Sequence, residues 1–380
     1  MHGHARSSWR VWPICPSCLG RCAWIEEPFP STPHSVAARP MCRSTTFGSR
    51  PAMADPSTPS RSGLGLALPI ALAAIGTMAV LGFALAGLVS GSRPIGDGRD
   101  PATYGFDLSG LAGTPGIVSG SGNPRDFLHP LTVTTTMAGA SMAEWNATQR
   151  AKYVVTTDRV IGLTVGGESR AWPLSVLNVH EVIHDTLGGV PIAVTYSPLC
   201  DAAVVFDRRV AGRTIEFGIS GLVLDCNLLL YDHGADGQPP SLWSQLGLRA
   251  VSGPLAGTTL EPLPGVRLEP WKDWLASHPD TTVPTPDDAM RKRIKSTSYE
   301  RYWLAGKPMF EVSSPAPVGN GQPTPMERVV ATLQPDGSWL VTPPSTAAPA
   351  GVQIPCLWFA WHAFHGGRST VVGFGDQPTR

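Results

Sequence analysis

His180-Glu181-Val182-Ile183-His184 is a literal H-E-x-x-H string. On a helix, i and i+4 imidazoles share one face and can hold a zinc ion, with the intervening Glu as general base. That geometry would make a zinc hydrolase. On a strand, the same two rings lie about 13 Å apart, at about 3.3 Å per residue, too far for one ion. The local sequence favours the second arrangement. Val179, Val182 and Ile183 are β-branched, and the string runs into Asp185-Thr186-Leu187-Gly188-Gly189, which reads as strand and hairpin turn. The third-His extension of such zinc sites is missing, because Leu187 and Val190 stand at its Gly and His positions.

Downstream, Thr195-Tyr196-Ser197-Pro198-Leu199-Cys200-Asp201 ends in the first of three cysteines of the C-terminal part, the others being Cys226 and Cys356. Two chemistries are open to Cys200. It can form a disulfide with Cys226. Alternatively its thiolate and His180, with His184 near, bind copper or zinc while Glu181 or Asp185 handles protons. A small-molecule or metal ligand without turnover, in an envelope binding or scaffold module, is the non-catalytic alternative. Gly218-Ile219-Ser220-Gly221-Leu222 falls one glycine short of a nucleophile elbow, and no phosphate-cradling loop or dinucleotide fingerprint occurs.

These residues sit among short β-type runs. Val160–Val165 and Glu168–Pro173 flank Gly166-Gly167; Pro191–Tyr196, Ala203–Arg209, Arg213–Ile219 and Leu228–Asp232 follow, separated by Gly-containing turns. Helical pattern is confined to Ser141–Lys152, a short piece after Pro173, and Trp271–His278. The pattern predicts a β-rich α+β domain, a hairpin-built antiparallel sheet with few short helices.

The strings Arg170-Ala171-Trp172-Pro173-Leu174, Gly188-Gly189-Val190-Pro191, Pro198-Leu199-Cys200, Phe217-Gly218-Ile219-Ser220-Gly221, Leu228-Leu229-Leu230-Tyr231-Asp232 and Trp358-Phe359-Ala360-Trp361 carry a resemblance. Together they resemble the bacterial and archaeal family called domain of unknown function 3179, over residues 123–375. The resemblance brings no activity with it. It implies Tyr-Cys-Pro-Leu-Cys where this chain has Tyr196-Ser197-Pro198-Leu199-Cys200, and Asn at His184. Ser197 thus removes a Cys-x-x-Cys dithiol, and His184 falls outside the pattern.

The first ninety residues differ in character. From Ser62 to Ser92 no residue is charged, and Leu64–Val89 is almost wholly Leu, Ala, Ile, Val and Gly. Its 26 residues span about 39 Å as a helix, enough for a bilayer core. The expected organisation is a 1–52 extension ahead of a start at Met53, a cytoplasmic stretch 53–63, a transmembrane signal-anchor 64–89, a flexible Gly/Ser/Pro tether 90–122 and an extracytoplasmic domain 123–375. That places a single-pass protein in the cell membrane. Cys15, Cys18 and Cys22 in the extension lack the partner Cys-x-x-Cys of a strong metal cluster. Across all 380 residues, 29 Lys+Arg balance 29 Asp+Glu, so no basic footprint for nucleic acid exists. A hydrophobic fraction of 42% excludes both a wholly disordered chain and a multi-span membrane protein.

Overall fold

The apolar runs of the central sequence are continuous rather than alternating, which calls for strands covered on both faces. The computed structural model of the chain describes residues 94–111, 116, 118–235, 237–286, 299–319, 321–346 and 351–375. Its strands, in chain order, are β1 (Val118–Gly120), β2 (Leu131–Thr132), β3 (Thr136–Ala138), β4 (Arg159–Val165), β5 (Glu168–Pro173), β6 (Val182–Leu187) and β7 (Val190–Ser197). There follow β8 (Ala202–Asp207), β9 (Arg209–Val210), β10 (Arg213–Thr214), β11 (Phe217–Leu224), β12 (Asn227–Asp232), β13 (Leu242–Ser244) and β14 (Arg249–Ser252). The last are β15 (Arg267–Pro270), β16 (Thr282–Pro284), β17 (Arg328–Leu333), β18 (Trp339–Thr342), β19 (Gln353–Leu357) and β20 (Ser369–Val371).

They form sheets of order β2-β6-β7-β8, β15-β4-β5-β16-β3, β1-β11-β12-β13-β14 and β19-β17-β18-β20, with a small β9–β10 ribbon. Pairing is antiparallel except at β2–β6, β5–β16 and β18–β20. Helices are few and short, among them Met142–Thr148, Leu174–His180, Trp271–Ser277, Glu300–Trp303 and Trp358–His365. The β-rich class read from the sequence stands.

The β6–β8 sheet is the middle layer. Along β8, Ala202, Val204 and Phe206 enter one core with Trp243, Trp358 and Cys200, whereas Ala203 and Val205 enter the other with Trp172, Trp274 and Tyr196. A period of two feeding two cores explains the unbroken apolar run. The bond between Tyr196 N–H and Glu181 O (2.8 Å) closes the sheet just before the β7–β8 turn.

One expectation needs correction. The stretch 90–122, expected to be a loose tether, is in its described residues part of the fold. Tyr104 is fully buried, its hydroxyl donates to Asn123 O (2.6 Å), and β1 pairs with Leu222–Leu224 of β11. Composition misled here because two aromatic rings suffice: Tyr104 and Phe106 complete a satellite core with Leu222, Leu229 and Tyr231. The H-E-x-x-H string does not run along one helix, as its β-branched residues implied. The helix Leu174–His180 ends at Glu181, whose φ is 53°, and His184 is a residue of β6. The two imidazoles therefore lack the one-face register of a zinc hydrolase. The extension and the apolar segment 64–89 lie outside the described residues; among those described, no helix is long and apolar enough to cross a membrane.

Candidate functional site

The β7–β8 turn, Ser197–Asp201, is fixed from every side. Cys200 N–H donates to Ser197 O (3.1 Å), Trp303 Nε1 to Pro198 O (2.8 Å), the Tyr302 hydroxyl to Leu199 O (3.0 Å), and Leu357 N–H to Cys200 O (2.7 Å). Strain gathers around it. Of seven described non-glycine residues with positive φ, four surround this turn: Glu181, Asp201, Asp225 and Cys226. Each pays for a left-handed conformation that L-residues avoid.

One face of the turn is sulfur. Asp225 and Cys226 occupy the two-residue connection between β11 and β12, where both φ values are positive and Asn-Gly is the usual choice. Ser313 holds the Asp225 carboxylate through its N–H and hydroxyl, both at 2.8 Å. The turn thereby places Cys226 against Cys200, whose thiol donates to Cys226 O (3.2 Å). The Tyr302 hydroxyl lies 3.9 Å from Cys226 Sγ and accepts from Met309 N–H (3.3 Å). The interaction with Cys200 holds the Cys226 thiol below its ordinary value, while burial pushes Cys200 well above it. The pair is therefore asymmetric, with Cys226 the more acidic thiol.

A second face holds Glu181. With Ser197, Pro198 and Leu199 it lines a cavity of about 30 Å³. Burial raises its carboxyl from 4.5 to about 8.

The third face is Asp201, whose side chain is wholly buried. Arg159 grips it with two bonds (2.7 and 2.9 Å), Arg328 Nε adds one at 2.5 Å, and the Tyr196 hydroxyl another at 2.6 Å. Trp303 lies under both guanidinium groups, 5.3 and 5.1 Å from its ring centre. Two cations on one carboxylate leave a positive surplus at this end of the turn.

The residues singled out from the sequence are thus divided. Cys200 and Glu181 flank the turn. His180 is at the end of its helix, its Nδ1 bonded to the His129 carbonyl (2.8 Å). The His184 Nε2 accepts from Phe217 N–H (3.0 Å), and burial, with Arg208 and His233, lowers that ring to about 4. It is a neutral acceptor inside the fold. Asp185, expected to handle protons, is occupied by Arg170 Nη1 (2.6 Å), Trp172 Nε1 (2.9 Å) and its neighbour's N–H. Among the described residues no three His, Cys, Asp or Glu side chains are placed to hold a metal ion. Sequence reasoning missed Arg159, Arg328, Tyr302 and Trp303, although Asp201 closes the very string that holds Cys200. A charged residue directly after a turn cysteine was the available signal.

A family model described as "Protein of unknown function (DUF3179)" matches residues 140–353, a span that contains the turn, Glu181, both thiols and both arginines. No curated protein and no solved structure matches the chain.

Proposed function

We propose that the chain, which belongs to this family of unknown function, is a thiol-dependent protein whose Cys200 and Cys226 cycle between dithiol and disulfide. The approach of the Cys200 thiol to the Cys226 main chain (3.2 Å), which sets two free cysteines on adjoining turns, is the observation that carries this reading. The reaction partner is a disulfide, R–S–S–R, of a small thiol or a protein. Cys226 thiolate attacks one sulfur and expels RS⁻, which takes the Cys200 proton. Cys200 thiolate then attacks the Cys226 sulfur, closing the Cys200–Cys226 bond and expelling the second RS⁻. Two electrons pass from the pair to R–S–S–R. The cover over Cys226, from Tyr302 to Phe310, carries no strand pairing, and opening it must break the Tyr302 and Trp303 hydrogen bonds to the turn.

The same proposal places the domain outside the cytoplasm, held by Leu64–Val89 as a single-pass anchor. The uncharged stretch Ser62–Ser92 supports that location, and an oxidising compartment supports a working disulfide. A copper or zinc centre at His180 and Cys200 is less well supported, since among the described residues no three His, Cys, Asp or Glu side chains are placed to hold a metal ion.

The test is a redox titration of the native protein in glutathione buffers, followed by alkylation and peptide mapping. The expected result is a Cys200–Cys226 cross-linked peptide that appears as one two-electron couple, with Cys356 alkylated throughout. Cys200→Ser is expected to trap Cys226 as a mixed disulfide with glutathione. Recovery of both thiols free from fully oxidised buffer would overturn the proposal.

A further inference from the structure

Beyond Asp201 the turn opens on a cavity of about 240 Å³ between β4–β15 and β17–β19. Its charged lining is Arg159, Arg267, Arg328, Asp201 and Glu269, and Val266 and Pro355 supply apolar wall. The formal charge there is three guanidinium groups against two carboxylates, a surplus of one. Asp201 has no acceptor capacity to spare, because both its oxygens are taken twice. Arg328 spends only Nε on it, makes no other side-chain hydrogen bond among the described residues, and remains half exposed. Among the described residues the Arg267 side chain makes one hydrogen bond, to the Gln353 side-chain oxygen at 3.4 Å. Burial raises the Glu269 carboxyl from its ordinary value, and Arg267 opposes that shift.

The geometry points to a binding site for a small monocarboxylic acid in this cavity, with the carboxylate on the outer nitrogens of Arg328 and Arg267 and the hydrocarbon body along the Val266 and Pro355 wall. Guanidinium groups present paired N–H donors matched to a carboxylate. The single surplus charge suits a monoanion better than a phosphate dianion, and apolar walls reject a strongly hydrated ion. The volume lies below that of sites for drug-sized ligands, which selects a short acid. Trp303, stacked on Arg159 and Arg328, holds two of the three guanidinium groups in place before any ligand arrives. This site is independent of the thiol chemistry, because neither Cys200 nor Cys226 lines the cavity.

Calorimetric titration of the full chain in detergent, with benzoate and hexanoate as probes, tests the assignment. At least one acid is expected to bind saturably, with benzamide, hexanamide and inorganic phosphate weaker by about tenfold or more. Arg267→Gln, which breaks no ion pair with a buried carboxylate, is expected to weaken the acid by about tenfold while leaving the ligand-free melting temperature unchanged. Arg328→Gln gives a second reading at the other donor. Absence of saturable binding by both acids, equal binding of the amides or of phosphate, or full affinity in Arg267→Gln would each overturn the site.

Discussion

Glu181 brings together two conditions that proteins avoid, a left-handed backbone in a residue with a Cβ and a carboxyl held away from water. Its carboxyl titrates at about 8 in the folded chain because of burial, against 4.5 ordinarily. Between those values the folded state holds a proton that the unfolded state has lost, so stability falls as pH rises from 4.5 toward 8 and is level beyond. The slope in that window is at most about 1.4 kcal/mol per pH unit, reduced by whatever water reaches the partly closed cavity. Glu181→Gln keeps the shape and removes the proton. Urea unfolding of both proteins at pH 5 and pH 8 is expected to show the variant gaining on the wild type at the higher pH, and parallel profiles would refute it. The sequence pointed to Glu181, but for its place in H-E-x-x-H. What matters is its position after a helix that stops. The β-branched Val182 and Ile183 already argued for that stop. No spacing rule announces that the stopping residue is a glutamate with positive φ.

At the scale of elements, hairpins were legible and long-range pairings were not. Gly166-Gly167 and Gly188-Gly189 turn where their dipeptides say, each glycine with positive φ, and Gly188 is pressed so close that an added Cβ would meet Val165 O at 2.3 Å. The helix expected over Ser141–Lys152 is real but shorter, Met142–Thr148. β1 escaped notice because its three residues are a strand only by virtue of β11, a hundred residues away. The stretch around Tyr104 gives the decisive comparison. As a tether, it would tolerate any substitution. As part of the satellite core, Tyr104→Ala removes a buried ring and its bond to Asn123 O, and is expected to cost about 3–5 kcal/mol in urea unfolding. An unchanged midpoint would restore the tether.

Across the whole molecule, Asp201 joins three sheets at one carboxylate: it leaves the β7–β8 turn, Arg159 begins β4, and Arg328 begins β17. The partners stand 42 and 127 residues from it in sequence, which is why spacing alone revealed neither. Ion pairs buried in this way are weak evidence of net stabilisation, since desolvation offsets the attraction, yet removing one member leaves the others uncompensated. Asp201→Ala strands two guanidinium groups and the Tyr196 hydroxyl, so a loss of about 3–5 kcal/mol is expected. High salt is not expected to restore it, because counter-ions screen exposed charges and Asp201 has no exposure. The two arginines should not be equivalent. Arg159 makes two bonds and is 24% exposed, whereas Arg328 makes one and is 48% exposed. Arg159→Met is therefore expected to destabilise more than Arg328→Met in a common denaturant series. Equal losses would mean that the carboxylate is held by its turn rather than by its partners, and that the sheets meet through their apolar cores alone.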